Sequence, residues 1–209
     1  MGNKLTSGNT AKGSGEIRQA GFPDYIGSFA LGVGSVKKQH VVVDIHVGDN
    51  GLIPKLGRTG AKVIGIDHRE AIGVSLMEAP GGGRQMADRD NASGLVLPIE
   101  SQRVDIVFVD LALHHLPTPS LAILEIKRIL KPGGRLVITD IEKYCKSGLT
   151  DARQDQWTGL YPSDIRHWMK VAGFSNIIVN PVPTRKLCSA GTCPDLARQG
   201  GYLMATGTA

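Results

Sequence analysis

Cysteine is scarce in this 209-residue sequence, with only Cys145, Cys188 and Cys193. An odd and small number argues against a disulfide framework and suits a reducing compartment, so a cytoplasmic location is expected. No apolar run approaches the length needed to cross a bilayer, and no secretory hydrophobic region stands near the start, so no membrane association is expected. Aromatic residues make up 5%, and nowhere do they interleave with clustered Lys and Arg. The net charge of +5 is therefore diffuse, without the footprint of a nucleic-acid binder. Met1-Gly2-Asn3-Lys4-Leu5-Thr6 formally fits a myristoylation pattern, but the plainer reading is a polar start.

What is present is ordinary for a globular chain, with 41% hydrophobic and 21% charged residues. The length suits one domain with a full core. Residues 1–15, rich in Gly, Ser, Asn, Thr and Lys, read as a disordered start, and 16–209 as a single domain. Within it, 16–39 reads as an N-terminal cover segment of weak helical pieces. Its apolar contacts are Phe22, Tyr25, Ile26, Phe29 and Leu31, placed over a site or on the sheet edge. Gly32-Val33-Gly34 precedes a strand rather than following one, which sets it aside as a phosphate turn.

The chain is organised around residues 40–67. His40-Val41-Val42-Val43-Asp44-Ile45 is a β-branched run suited to a strand buried on both faces. It leads into the turn His46-Val47-Gly48-Asp49-Asn50-Gly51, then a short helix, then the strand Lys62–Ile66 ending on Asp67. Asp67 lies nineteen residues past Gly48, roughly the spacing at which a Rossmann-type site sets a carboxylate on a ribose. A nucleoside-bearing cofactor is the expectation.

Downstream, Arg69–Met77 reads as a short helix, Arg84–Asp88 as a third strand, and Val104–Asp110 as a fourth. A helix opens at Thr118-Pro119 with the threonine as cap. It buries Ile123, Ile126 and Leu130 and stops at Lys131-Pro132-Gly133-Gly134. Arg135–Asp140 is a fifth strand, and a helix capped by Ser163 ends at Gly173. Ser175–Val182 and Tyr202–Thr206 are strands six and seven, with no helix between them. The alternation implies a doubly wound, Rossmann-like α/β fold of seven strands, mostly parallel, with one antiparallel strand near the C-terminus.

Three segments carry a family resemblance: Leu111-Ala112-Leu113-His114-His115-Leu116-Pro117 with the helix and Lys-Pro-Gly-Gly after it, the Ala172-Gly173-Phe174 turn, and the final Tyr-Leu-Met-Ala-Thr-Gly strand. Over residues 40–209 the chain resembles class I S-adenosylmethionine-dependent methyltransferases. It is most similar to the small-molecule branch, methyltransferase type 11, with its quinone-biosynthesis and arsenite methyltransferases. The resemblance implies S-adenosyl-L-methionine as cofactor, a small-molecule methyl acceptor, a cofactor-binding half over 40–140 and a substrate-side half over 141–209. It further implies that Asp44 orients the glycine turn and the donor's amino end, and that Gly48 admits that end. Asp67 would hold the ribose, His68 would lie beside the adenine, Asp88 or Asp90 would reach the adenine amino group, and Asp110 and Leu111 would line the sulfonium.

One departure stands out. Where the family carries D-x-G-x-G-x-G, His46 takes the place of the first glycine and Asn50 that of the third. Asparagine tolerates positive φ; a histidine brings a Cβ and an imidazole where backbone should meet ligand. His46 either distorts the donor site or is recruited to it. If the acceptor must lose a proton, His114 and His115, after the fourth strand, are the candidate bases. The competing readings are a nicotinamide-dependent oxidoreductase, on the partial dinucleotide fingerprint, and a catalytically impaired binding or regulatory module. No Asn/Asp-Pro-Pro-aromatic signature for base methylation follows the fourth strand. No zinc spacing is present, so no structural metal is expected; the three thiols leave trivalent arsenic as a minor acceptor reading.

Overall fold

The computed structural model describes residues 22–46, 52–67, 75–78, 85–86, 96–143, 159–182 and 201–209. The first element is the helix α1, Phe22–Gly34. Strand β1 (Val41–His46) follows, then the short helix α2 (Ile53–Leu56), a 3-10 turn, and β2 (Lys62–Asp67). Next come β3 (Ser75–Glu78), β4 (Gln85–Met86) and β5 (Val104–Asp110). A 3-10 turn at Leu113–His115 leads to α3 (Pro119–Ile129), β6 (Leu130–Ile141), α4 (Pro162–Val171), β7 (Ser175–Pro181) and β8 (Tyr202–Thr208).

The strands form one sheet in the order β4-β3-β2-β1-β5-β6-β8-β7. β1, β2, β5 and β6 pair in parallel at the centre, and β8 runs antiparallel between β6 and β7. The expected closing hairpin is present. The sheet has eight strands among the described residues rather than seven, and a second antiparallel strand, β3, which pairs with β2. This corrects the reading of Arg69–Met77 as a helix: Ser75–Met77 are strand. Local pattern is weak over so short a stretch, and β3 instead satisfies the backbone groups that β2 would leave open at the sheet edge. Of the expected third strand, only Gln85–Met86 lies within the described residues.

Both faces of the central parallel strands are buried. Val43, Ile45, Val107, Val109, Leu136 and Ile138 pack towards α3 and α4, which contribute Ala122, Ile123, Ile126, Ile129, Ile165 and Met169. Val42, Val63, Ile106, Phe108 and Val137 form the opposite face with Ala30 of α1 and Leu52 and Leu56 around α2. The β-branched strands are what a parallel sheet covered on both sides requires.

Residues 22–39, the described part of the N-terminal cover segment, are better organised than their sequence implied. α1 is one continuous helix on the sheet face over β5 and β6, not on the edge. A Cβ on Gly34 would run into the Phe108 ring, so the glycine permits this close approach. Ala30, not Phe29, is the buried residue at its centre, and Phe29 is 38% exposed.

Two caps also differ from expectation. Thr118 precedes α3 without a side-chain capping bond; its carbonyl accepts from the N–H groups of Leu121 and Ala122. Ser163 lies inside α4, whose N-cap is Tyr161. In both helices a proline occupies the first turn, where its missing N–H is no loss. α4 does end at Gly173, at φ +83°.

Candidate active site

Parallel strands of an open sheet deliver their carboxyl ends to one edge, where such folds bind ligands. Here His46, Asp67 and Asp110 are in register across β1, β2 and β5, and Asp110 pairs onward with Thr139 of β6. Asp44, two residues before His46, lies on the same face of the same strand. The sequence thus placed Asp44, Asp67 and Asp110 at or near strand ends; His46, read as the first residue of the turn, is instead the last residue of β1, and the pairing brings all four into one row.

Asp44 is fully buried. Its Oδ2 accepts the Leu52 N–H at 2.6 Å, tying the far side of the turn to β1 at the entry to α2. Its Oδ1 is buried and has no hydrogen-bond partner among the described residues. Burial, with the Asp110 charge adding to it, pushes the Asp44 carboxyl up to about 7, against the N–H groups of Leu52 and Ile53. Asp110 accepts the Thr139 hydroxyl at 2.5 Å. Burial raises it to about 6; Thr139 and Lys55 oppose the shift, and the Asp140 charge reinforces it.

His46 is 5% exposed, and its Nδ1 lies 3.5 Å from Asp44 Oδ2. The imidazole therefore sits inside the acidic row, not outside it. Leu111 follows β5 at φ +50°, a costly conformation for a branched residue, and its N–H is held by the Thr139 carbonyl at 2.9 Å. The backbone is thereby turned sharply at the strand end.

The two histidines separate here. His114 is 3% exposed, and its Nδ1 lies 2.6 Å from Asp140 Oδ1. Asp140, wholly buried at the end of β6, also accepts the N–H groups of Leu113 (3.0 Å), His114 (3.3 Å) and Ile141 (2.7 Å). With both oxygens already acting as acceptors, the proton of the short contact belongs to His114 Nδ1, which leaves Nε2 as the basic nitrogen. His115 is half-buried and stacks on it, ring centroids 4.0 Å apart and tilted by 38°. Tyr202 on β8, raised to about 12 by burial and then by the Asp140 charge, stays a neutral phenol at this edge.

Sequence reasoning missed Asp140 and Thr139. The signal for Asp140 was available, since it is an acid closing a central strand just as Asp110 does. Gly48, His68, Asp88 and Asp90 lie outside the described residues, as do Cys145, Cys188 and Cys193. No metal-binding group of three or more His, Cys, Asp or Glu occurs among the described residues, and no helix there is long and apolar enough to cross a membrane.

Residues 43–138 match the family described as "Methyltransferase domain". A ubiquinone biosynthesis O-methyltransferase from Hahella chejuensis is 30% identical over 109 residues, covering 52% of this chain and 46% of that protein. The chain thus aligns with about half the length of that curated relative. An S-adenosylmethionine-dependent methyltransferase from Mesorhizobium loti superposes with a TM-score of 0.63 at 17% identity, covering 90% of this chain and 99% of the other. A 1,6-didemethyltoxoflavin-N1-methyltransferase from Burkholderia thailandensis, solved with bound 1,6-didemethyltoxoflavin and S-adenosylhomocysteine, gives a TM-score of 0.56 at 17% identity, covering 89% of this chain and 77% of the other. These two structures establish the fold. Residues 43–138 thus match a methyltransferase domain over a little under half of the chain, and the fold is the one shared by S-adenosylmethionine-dependent methyltransferases.

Proposed function

We propose that the protein is an S-adenosylmethionine-dependent methyltransferase acting on a small molecule. The observation that carries this is the row of acids at the carboxyl edge of β1, β2 and β5, with one buried Asp44 oxygen unpartnered among the described residues. A buried carboxylate oxygen without a partner suits a ligand that brings its own hydrogen-bond donors. The donor's ammonium and ribose hydroxyls are such groups, so the residues fit it. Asp44 would take the ammonium and Asp67 the ribose, with Asp110 and Leu111 lining the reactive end. Gly48, His68 and Asp88 or Asp90 complete the set proposed from the family pattern.

The bound donor supplies an electrophilic methyl group on a sulfonium. The protein's work is then mainly positioning. The strained turn at Leu111 and the Thr139 bond fix the Asp110 edge, and Asp140 fixes the ring of His114. His114 Nε2 is the proposed base where an acceptor hydroxyl must lose its proton, and His115 flanks it. The half of the chain over 141–209 would form the acceptor side, and a cytoplasmic location fits the reading.

Calorimetric titration with S-adenosylhomocysteine tests the proposal. Binding is expected, and Asp67→Ala should weaken it by about 1.5–3 kcal/mol, roughly 10- to 100-fold, the range for hydrogen bonds to a charged group. Absence of binding by the unmodified protein would refute the reading. A second reading, a donor-binding module impaired in catalysis, is favoured by the buried imidazole of His46 within the acidic row. It predicts binding without methyl transfer. The nicotinamide alternative has less support, because β8 inserted antiparallel between β6 and β7 matches the methyltransferase pattern. It predicts a melting shift with NAD.

A further inference from the structure

The buried imidazole of His46 is the one titratable group in the acidic row that the proposed mechanism leaves idle. It stands where the family pattern has a glycine, at the last position of β1. Its neighbours define a place for a positive charge. Asp44 approaches from its own strand, with Oδ2 at 3.5 Å, and Asp110 is its register partner on β5. Asp67 is its register partner on β2. From α2, Lys55 is close enough to lower the Asp110 pKa, and its Nζ donates to Ser28 Oγ of α1 at 3.3 Å. Asp140, on β6, projects from the other face of the sheet and holds His114. The imidazole therefore lies against one acid, and its register partners on both neighbouring strands are acids as well.

Resting on the donor-binding reading, we propose that His46 is a self-ligand: its imidazolium, beside Oδ2, neutralises the Asp44 carboxylate that takes the donor's ammonium, and donor binding displaces it. The carboxylates that must accept the donor's cation are costly to keep buried and ionised in its absence. A protonated imidazole beside Asp44 offsets that cost in the free protein. The donor then competes with an internal cation, so its apparent affinity is reduced by the fraction of molecules in which His46 has withdrawn or lost its proton. His46 on this view is a binding-site residue that sets donor affinity, neither an ornament of the turn nor a contact that strengthens the complex.

Two measurements on the intact protein test it. In the first, the His46 imidazole is titrated by NMR on histidine-labelled protein, free and saturated with S-adenosylhomocysteine. The expected result is a titration above the ordinary value of about 6.5 in the free protein. It should fall by about one unit or more on saturation, and fall likewise in Asp44→Asn without ligand. In the second, S-adenosylhomocysteine is titrated calorimetrically at about pH 6.5 against wild type, His46→Gly and His46→Gln. Both variants should bind about fivefold tighter or better, as expected when a competing state is removed. An imidazole titration indifferent to S-adenosylhomocysteine overturns the proposal even where the ligand binds. Weaker binding by both variants overturns it too, and makes His46 a direct ligand contact. If wild type and variants alike fail to bind S-adenosylhomocysteine, it is the donor-binding reading that fails, and this inference falls with it.

Discussion

His114 Nδ1 lies 2.6 Å from Asp140 Oδ1, joining the turn after β5 to the end of β6 across 26 residues of sequence. The same carboxylate gathers three backbone N–H groups, so a single buried side chain shapes both the turn and the imidazole.

Asp140→Ala should therefore be costly even before catalysis is considered. It strips the acceptor from the N–H groups of Leu113, His114 and Ile141 and from the His114 ring. A buried donor left unsatisfied costs about 1–3 kcal/mol, so the combined loss is expected at about 3 kcal/mol or more in urea unfolding. Asp140→Asn, which keeps one acceptor oxygen, should lose less. A loss below about 1 kcal/mol for the alanine variant would mean that Asp140 does not hold the turn.

Asp44 gives an unusual pH dependence. Its folded-state value, about 7, is above the unfolded value of 3.8, the reverse of the common carboxylate case. The folded protein therefore holds a proton that the unfolded chain releases, and this group's contribution to stability declines as pH rises from about 4 to about 7. Above that window the penalty is fully present. Asp44→Asn removes it, so the variant should gain about 1–3 kcal/mol more at pH 8 than at pH 5 in paired urea melts. A gain that is equal at both pH values would show that the buried charge is already neutralised.

The seat of α1 is tested at Gly34. A methyl group there meets the Phe108 ring, in a core with little room to yield. Gly34→Ala should destabilise by about 1–3 kcal/mol, the usual cost of overpacking, despite alanine's better helix propensity. An unchanged or raised melting temperature would place α1 further from β5 than the structure has it.

Much of the edge was legible in the chain itself. Asp44, Asp67 and Asp110 each close a run of β-branched residues, and such runs announce buried strands locally, through alternation and composition. Ser75–Glu78 was not legible, because four residues carry no decisive period and their strand state is set by pairing with β2. Thr118 and Ser163 were natural caps by type, yet the helix starts were settled by Pro119 and Pro162 and by backbone bonds.

By itself, then, the sequence determined the strand runs, the acids at their ends and the alternation that yields a Rossmann-like sheet, because these depend on near neighbours in the chain. Strand order and register were decided only in three dimensions, since they depend on which backbone edges hydrogen-bond over long separations. That pairing put His46 level with Asp67 and Asp110 and laid α1 on the sheet face. It also chose His114 over His115 as the histidine that Asp140 grips.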